Sequence, residues 1–202
     1  MNRKSEIEQF VSKKIYVLEQ MAGESAANTT YANLRRSVGK APGEVPSVFG
    51  IVLRDMPEEF LSKDGEATKE EWACHIALTL YALHQQGNNP QNHPMNSTDN
   101  KLSMGASMRN FVICETDQNA EQRMQQRLQM LSTAKDVAEI SYHLRGIIQL
   151  FRANGIVCNY AKLAGDLYEM QFRDQETKVC LRWGQDFYRV INNSNIDKEE
   201  SR

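Results

Sequence analysis

The stretch from Val137 to Gly155, VAEISYHLRGIIQLFRANG, decides the fold class. Val137, Ile140, Leu144, Ile147, Leu150 and Phe151 recur at steps of three and four, which places them on one face of an α-helix. Asn154-Gly155 closes that helix, because glycine takes a left-handed backbone at no steric cost. The same rhythm continues on both sides. Upstream, Met124, Leu128 and Leu131 make one stripe. Downstream, Tyr160, Leu163, Leu167 and Met170 make another. Val179, Trp183, Phe187 and Val190 make a last one, with Asp174 placed to cap it. Four amphipathic helices joined by short links predict an antiparallel four-helix bundle.

The N-terminal half is less regular but also helical. Ile7, Phe10, Val11, Ile15, Leu18 and Met21 form a stripe over residues 5–22, with Ser5 and Glu8 in capping-box spacing and Gly23 as the stop. A short helix is predicted from Thr29 to Val38, broken by GKAPGEVP (Gly39–Pro46). Another is predicted from Ser47 to Met56, with a loop over Glu58–Glu66. Thr68 and Glu71 repeat the capping box and open WACHIALTLYALH, whose Trp72, Ile76, Leu80 and Leu83 share a face. The polar run Gln85–Lys101 reads as a long, partly disordered loop with no core to bury. Helical spacing resumes from Leu102 to Ile113. The polar connection CETDQNA (Cys114–Ala120) then separates an N-terminal helical subdomain, 1–114, from a C-terminal bundle, 115–202, and the tail after Asn192 is expected to fray. No alternating β-pattern and no repeat appear, so the fold class is all-α.

Composition narrows the function classes. The chain has 202 residues, 41% hydrophobic and 25% charged, an ordinary globular mix that needs no staple to fold. No apolar run approaches the ~20 residues of a membrane span, and MNRKSEIEQF carries no apolar signal core, so no membrane or export role is expected. Twenty-four Lys and Arg against 26 Asp and Glu exclude a globally basic coat protein, although a local basic face fits within a near-neutral total.

Catalytic and metal patterns are absent. Cys74, Cys114, Cys158 and Cys180 form no CxxC pair, and His75, His84, His93 and His143 form no HExxH. They read as scattered thiols and imidazoles, with no cofactor and no metal expected. No phosphate loop, dinucleotide fingerprint or nucleophile elbow is found. Asp166 and Glu169 stand three apart on one helix face. With no nucleophile or metal partner supplied, they read as carboxylates facing solvent or an arginine, not as a catalytic pair. The charge distribution says more. Tyr31–Lys40 holds Arg35, Arg36 and Lys40 and no acid; Ile140–Gly165 holds Arg145, Arg152 and Lys162 and no acid. Lys101 and Arg109 flank the exit of the long loop, while Asp55–Glu71 holds seven acids. Such segregation fits either a solvated helical face or a surface for a phosphate backbone.

An ordered series of motifs carries a resemblance. YANLRRSVGKAPGEVP (Tyr31–Pro46), LTLYALHQQG (Leu78–Gly87), SMGASM (Ser103–Met108), EQRMQQRLQML (Glu121–Leu131), LRGIIQLFRANGI (Leu144–Ile156), NYAKLAGDLYEM (Asn159–Met170) and VCLRWGQDFY (Val179–Tyr188) together resemble the CasB family, the small subunit of the type I-E CRISPR Cascade complex. The resemblance implies a cytoplasmic, non-catalytic, two-part helical protein. It implies a second copy of itself, the large subunit, the backbone subunits and the guide-RNA-bound assembly as partners. It also implies contact with target and displaced non-target DNA strands, stabilising the R-loop. Arg35 and Arg36 fall in the family's LRR element. Lys101 and Arg109 flank its S-x-G element, Arg123 and Arg127 match its basic helix, and Arg145 falls in its LR element. The chain differs in having Gly146 after Arg145 and Met170-Gln171 where aromatic residues are common. A helical protein–protein adaptor, its bases engaged in salt bridges, is the alternative.

Overall fold

The computed structural model describes residues 2–23 and 25–189. Helix α1 spans Arg3–Gln20 and α2 spans Ser25–Arg36. A 3₁₀ turn at Pro46–Val48 leads into the short α3, Phe49–Val52, and a second turn, Glu58–Phe60, precedes α4, Lys69–His84. The remaining helices are α5 (Met104–Cys114), α6 (Ala120–Ser132), α7 (Val137–Asn154), α8 (Tyr160–Met170) and α9 (Arg173–Tyr188). Among the described residues the only β-type pairing is one isolated parallel bridge, Asn96 to Cys158. The all-α expectation holds.

Helix α4 is the central rod. Thr68 and Glu71 form the expected capping box, with Thr68 Oγ1 accepting from the Glu71 amide at 3.0 Å and the Glu71 carboxylate accepting from the Thr68 amide at 2.8 Å. Its burial is broader than the one face read from sequence. Every residue from Ala73 to His84 is buried, because α2, α7, α8 and α1 surround it. Its alanines let the neighbours approach from the sides that a stripe of large residues leaves unmarked.

The termini of several elements differ from the sequence reading. Helix α1 begins two residues before Ser5, and Asn2 caps it, its side chain accepting from the Lys4 amide. Ser5 and Glu8 therefore lie inside the helix. Helix α2 lies about one turn earlier than expected. Helix α5 starts after Leu102, with Ser103 as cap. Helix α9 starts at Arg173 with no side-chain cap, so Asp174 sits in its first turn. Val190 and the tail after Asn192 lie outside the described residues.

The long loop after α4 is a packed element. Gln85 is 3% exposed and organises it. Its Nε2 donates to the carbonyls of Asn88 and His93, and its Oε1 accepts from the Met95 amide at 2.9 Å. Met95 is thereby drawn into the interior. Backbone bonds from Ser97 to Cys158 and from Cys158 to Met95 tie the loop to the α7–α8 connection. One buried glutamine thus supplies the contacts that local helix propensity withholds.

Helix α8 packs on α1 and α4, α5 packs on α9, and α6 packs on α7 and α9. A single apolar cluster runs from Ile7 through Leu80, Leu144 and Leu167 to Phe187. It contains the predicted stripe residues Ile140, Leu144, Ile147 and Phe151 of α7, all at most 2% exposed. Helix α5 crosses α9 at very short range. A Cβ on Gly105 would lie 2.7 Å from the carbonyl carbon and 2.8 Å from the Cα of Trp183, so only glycine permits the approach.

A candidate nucleic-acid interface

Helix α7 presents two opposite surfaces. Its inner face carries the apolar stripe, and Asp136 caps its start by accepting from the Glu139 amide at 2.9 Å. Its outer face carries Tyr142, Arg145, Gln149 and Arg152, at steps of three, four and three. Arg127 reaches over from α6. A Cβ at Gly146 would stand 2.9 Å from Arg127 Nη1, so the bare backbone at 146 makes room for that guanidinium. Arg127, Met130, Tyr142, His143, Arg145 and Gln149 line an open groove of about 440 Å³. Tyr142 is 69% exposed there. Glu139 stands beside the groove, its Oε1 3.8 Å from His143 Nε2.

The outer stripe continues to a second concavity. Arg152 lies seven residues beyond Arg145, about 10 Å along the helix axis. Its Nη1 donates to Gln86 Oε1 at 2.7 Å. Gln86 also lines a cleft of about 370 Å³ beside α2, together with Tyr31, Arg35, Gly87 and Asn88. Burial, and after it the Arg152 charge, lowers the pKa of Arg35 from its ordinary value.

The other candidate bases lie apart from this pair of concavities. Arg36 lies in the last turn of α2 and is exposed. Lys101 is exposed in the turn before α5, where its amide donates to the Asp99 carboxylate at 2.8 Å. Arg109 is half-buried on α5, with Nη1 3.9 Å from Glu121. Arg123 pairs with Asp117, whose pKa falls chiefly through the Asn119 amide. Arg127 and Arg145 are brought together in one groove, while Arg35, on α2, lines the separate cleft whose residue Gln86 is bonded to Arg152. Sequence reasoning left Arg152 and Tyr142 out of the site. The i, i+7 spacing from Arg145 inside the acid-free window was the signal for Arg152, and the apolar stripe of α7 was the signal for Tyr142, which stands two positions from both Ile140 and Leu144 and so on the opposite face.

Asp166 and Glu169 meet cations. Asp166, 1% exposed, accepts from Lys4 Nζ at 2.7 Å, Arg182 Nη2 at 3.0 Å and Trp183 Nε1 at 2.7 Å. Glu169 accepts from the same Lys4 and Arg182, at 2.9 and 2.6 Å. The network joins α1, α8 and α9. Among the described residues no three His, Cys, Asp or Glu side chains are grouped to hold a metal. No described helix is long and apolar enough to cross a membrane.

These features define an all-helical scaffold with a basic outer groove. The family model for the CRISPR-associated protein Cse2 matches residues 30–188, and the chain belongs to that family. It is similar in structure to CasB from Thermobifida fusca, at 26% identity and a TM-score of 0.73, over 91% of this chain and 98% of that one. A chain of a CRISPR RNA-guided surveillance complex aligns at 18% identity and TM-score 0.69, over 90% of this chain and 92% of its own. A Cse2-family CRISPR-associated protein from Thermus thermophilus aligns at 19% and 0.63, over 93% and 99%. Among curated proteins no sequence match is found. The resemblance to CasB read between Tyr31 and Tyr188 is borne out.

Proposed function

We propose that the chain is a non-catalytic small subunit of a type I-E CRISPR RNA-guided surveillance complex. In this reading it acts in the cytoplasm, pairs with a second copy of itself, and contacts the large subunit, the backbone subunits and the guide-RNA-bound assembly. It holds target and displaced single-stranded DNA on its basic face and so stabilises the R-loop. Family membership and the likeness to a surveillance-complex chain support the assembly role. The observation that carries the DNA role is the outer stripe of α7, where Arg127 and Arg145 share one groove with an exposed tyrosine.

The physics suits that task. Guide pairing reads the sequence, so the protein needs only to follow the sugar-phosphate backbone. An open duplex is nearly balanced against the closed one, and a few phosphate contacts tip it. Arg127 and Arg145 supply charge to phosphates, and the Tyr142 ring offers a face on which an unpaired base can stack.

The test replaces Arg127 and Arg145 together by alanine and measures target-DNA affinity of the assembled complex at several salt concentrations. Each phosphate contact on a single strand releases roughly 0.7 of a counterion, so losing both flattens the salt slope by about 1.4. The loss is expected to be similar for all target sequences. An assembled double variant with unchanged affinity and slope sinks the DNA role and leaves the helical adaptor reading.

A further inference from the structure

Residues 41–67, between α2 and α4, carry six acids against two bases, Arg54 and Lys63, and pack on α4. Together with α4 they surround a slot of about 120 Å³. Pro42, Val48, Phe49, Val52 and Leu53 give it an apolar wall, and Glu71 and His75 of α4 line its other side. The volume approaches the roughly 150 Å³ of an apolar cavity that holds one benzene ring. Phe49 keeps 38% of its surface exposed, so the slot stands beside an uncovered ring.

Two buried polar atoms at this place are unmatched. His75 is 2% exposed, and its Nε2 has no hydrogen-bond partner among the described residues. Ser37 Oγ is fully buried and has none either. The Ser37 and Lys40 carbonyls act on the His75 ring, which puts the two side chains in one neighbourhood. Burial outweighs those carbonyls and the Glu44 charge and lowers the pKa of His75, so its ring is neutral at neutral pH. A buried polar atom left unpaired costs stability. A ligand hydroxyl answers it, because a hydroxyl both donates and accepts. The turn beside the slot is already set. The Glu71 carboxylate accepts from the Thr68 amide at 2.8 Å and the Ser62 amide at 3.4 Å, and Ser62 Oγ accepts from the Gly65 amide at 2.9 Å.

We propose that this slot docks a tyrosine side chain of a partner protein, presented between basic residues. The ring fills the apolar wall beside Phe49, and its hydroxyl meets His75 Nε2. The flanking bases meet Glu44, Asp64 and Glu66, which are exposed and adjoin the lining residues Gly43 and Gly65. An acidic surround repels a phosphate backbone and attracts a basic peptide. The inference stands without the nucleic-acid reading above.

The experiment titrates the full chain, carrying isotope-labelled histidine, with the end-blocked tripeptides Lys-Tyr-Lys, Lys-Phe-Lys and Glu-Tyr-Glu and with para-cresol. The readout is the ring-nitrogen resonance of His75. Lys-Tyr-Lys is expected to move that resonance saturably. Lys-Phe-Lys is expected to bind about 2- to 10-fold more weakly, for want of the hydroxyl. Glu-Tyr-Glu is expected to bind about 3- to 10-fold more weakly at low salt, with the difference fading as salt rises. A folded Ala67→Leu chain, in which a lining residue fills the slot, is expected to lose the response. A resonance that no probe moves, or that moves equally in folded Ala67→Leu, refutes the slot. Equal affinity for the tyrosine and phenylalanine peptides refutes the contact with His75. Equal affinity for Lys-Tyr-Lys and Glu-Tyr-Glu refutes the basic partner. Para-cresol binding as tightly as Lys-Tyr-Lys refutes a protein occupant in favour of a small phenol.

Discussion

Replacing Gly105 by alanine tests the tight crossing of α5 over α9. Gly105 lies in the first turn of α5 and faces the backbone of Trp183 on α9. An added methyl would sit 2.7 and 2.8 Å from two main-chain carbons, well inside van der Waals contact. Backbone atoms cannot swing aside as a side-chain end can, so the helices must separate. Overpacking of this kind costs about 1–3 kcal/mol, and a main-chain obstacle belongs at the upper end. Alanine's better helix propensity offsets at most about 1 kcal/mol. The net destabilisation is then about 2 kcal/mol, or roughly 4–8 °C in melting temperature for a chain of this size. Gly184 is the internal control. It follows Trp183 on α9, yet a Cβ there meets nothing within 4 Å, so Gly184→Ala is expected to stabilise by about 0.5–1 kcal/mol. Thermal melts followed by circular dichroism, with urea titration for the free energies, read both variants. Gly105→Ala melting at or above the parent would refute the close approach of α5 to α9.

Other expected outcomes follow from the interior. Leu144→Ala should lose about 2–5 kcal/mol by urea denaturation, since Leu144 is fully buried on the inner face of α7. Asp166→Ala should lose about 3 kcal/mol, because Trp183 Nε1 loses its acceptor and Lys4 and Arg182 lose a charge partner. His84 is fully buried, its Nδ1 2.8 Å from the Tyr160 hydroxyl, and burial followed by the Arg152 charge pushes its pKa down to about 4. The unfolded chain takes up this proton near pH 6.5 and the folded chain only near 4, so His84's contribution is complete above about pH 6.5. It is lost as pH falls from about 6.5 to 4, by about 3 kcal/mol in all. Urea midpoints measured across that window should flatten in a folded His84→Gln variant; an unchanged pH profile would overturn the assignment.

Legibility in the sequence followed how local each determinant is. Helix α7 could be placed to the residue because its stripe is periodic and Asn154-Gly155 ends it with a local left-handed turn. The α4 capping box was equally local. The burial of α4 on all sides was not, because Ala73, Ala77 and Ala82 mark close approach only once the surrounding helices are known. At the N-terminus, Ser5 and Glu8 satisfied a capping pattern that Asn2, three positions earlier, had already made unnecessary. The loop's order depends on one amide, Gln85, whose three bonds no composition rule anticipates. At the candidate interface, acid-free windows pointed to Arg35 and Arg145. They could not show that Asp117 answers Arg123 or that Glu121 faces Arg109, since these pairings depend on how the chain folds back.

The charge network at Asp166 has a consequence for the order in which the chain folds. Lys4 and Asp166 are 162 positions apart, and α1 rests chiefly on α8. At a synthesis rate of about 5–20 residues per second, α1 waits roughly 8–30 s for its main partner to be made. During that interval Ile7, Phe10, Val11, Ile15 and Leu18 have no α8 to cover them. Contacts this distant also carry a large loop-closure entropy before they contribute stability, which slows folding relative to a helical bundle built from neighbours. The first helix is thus among the last to settle, and its apolar face stays open to wrong partners until α8 is made.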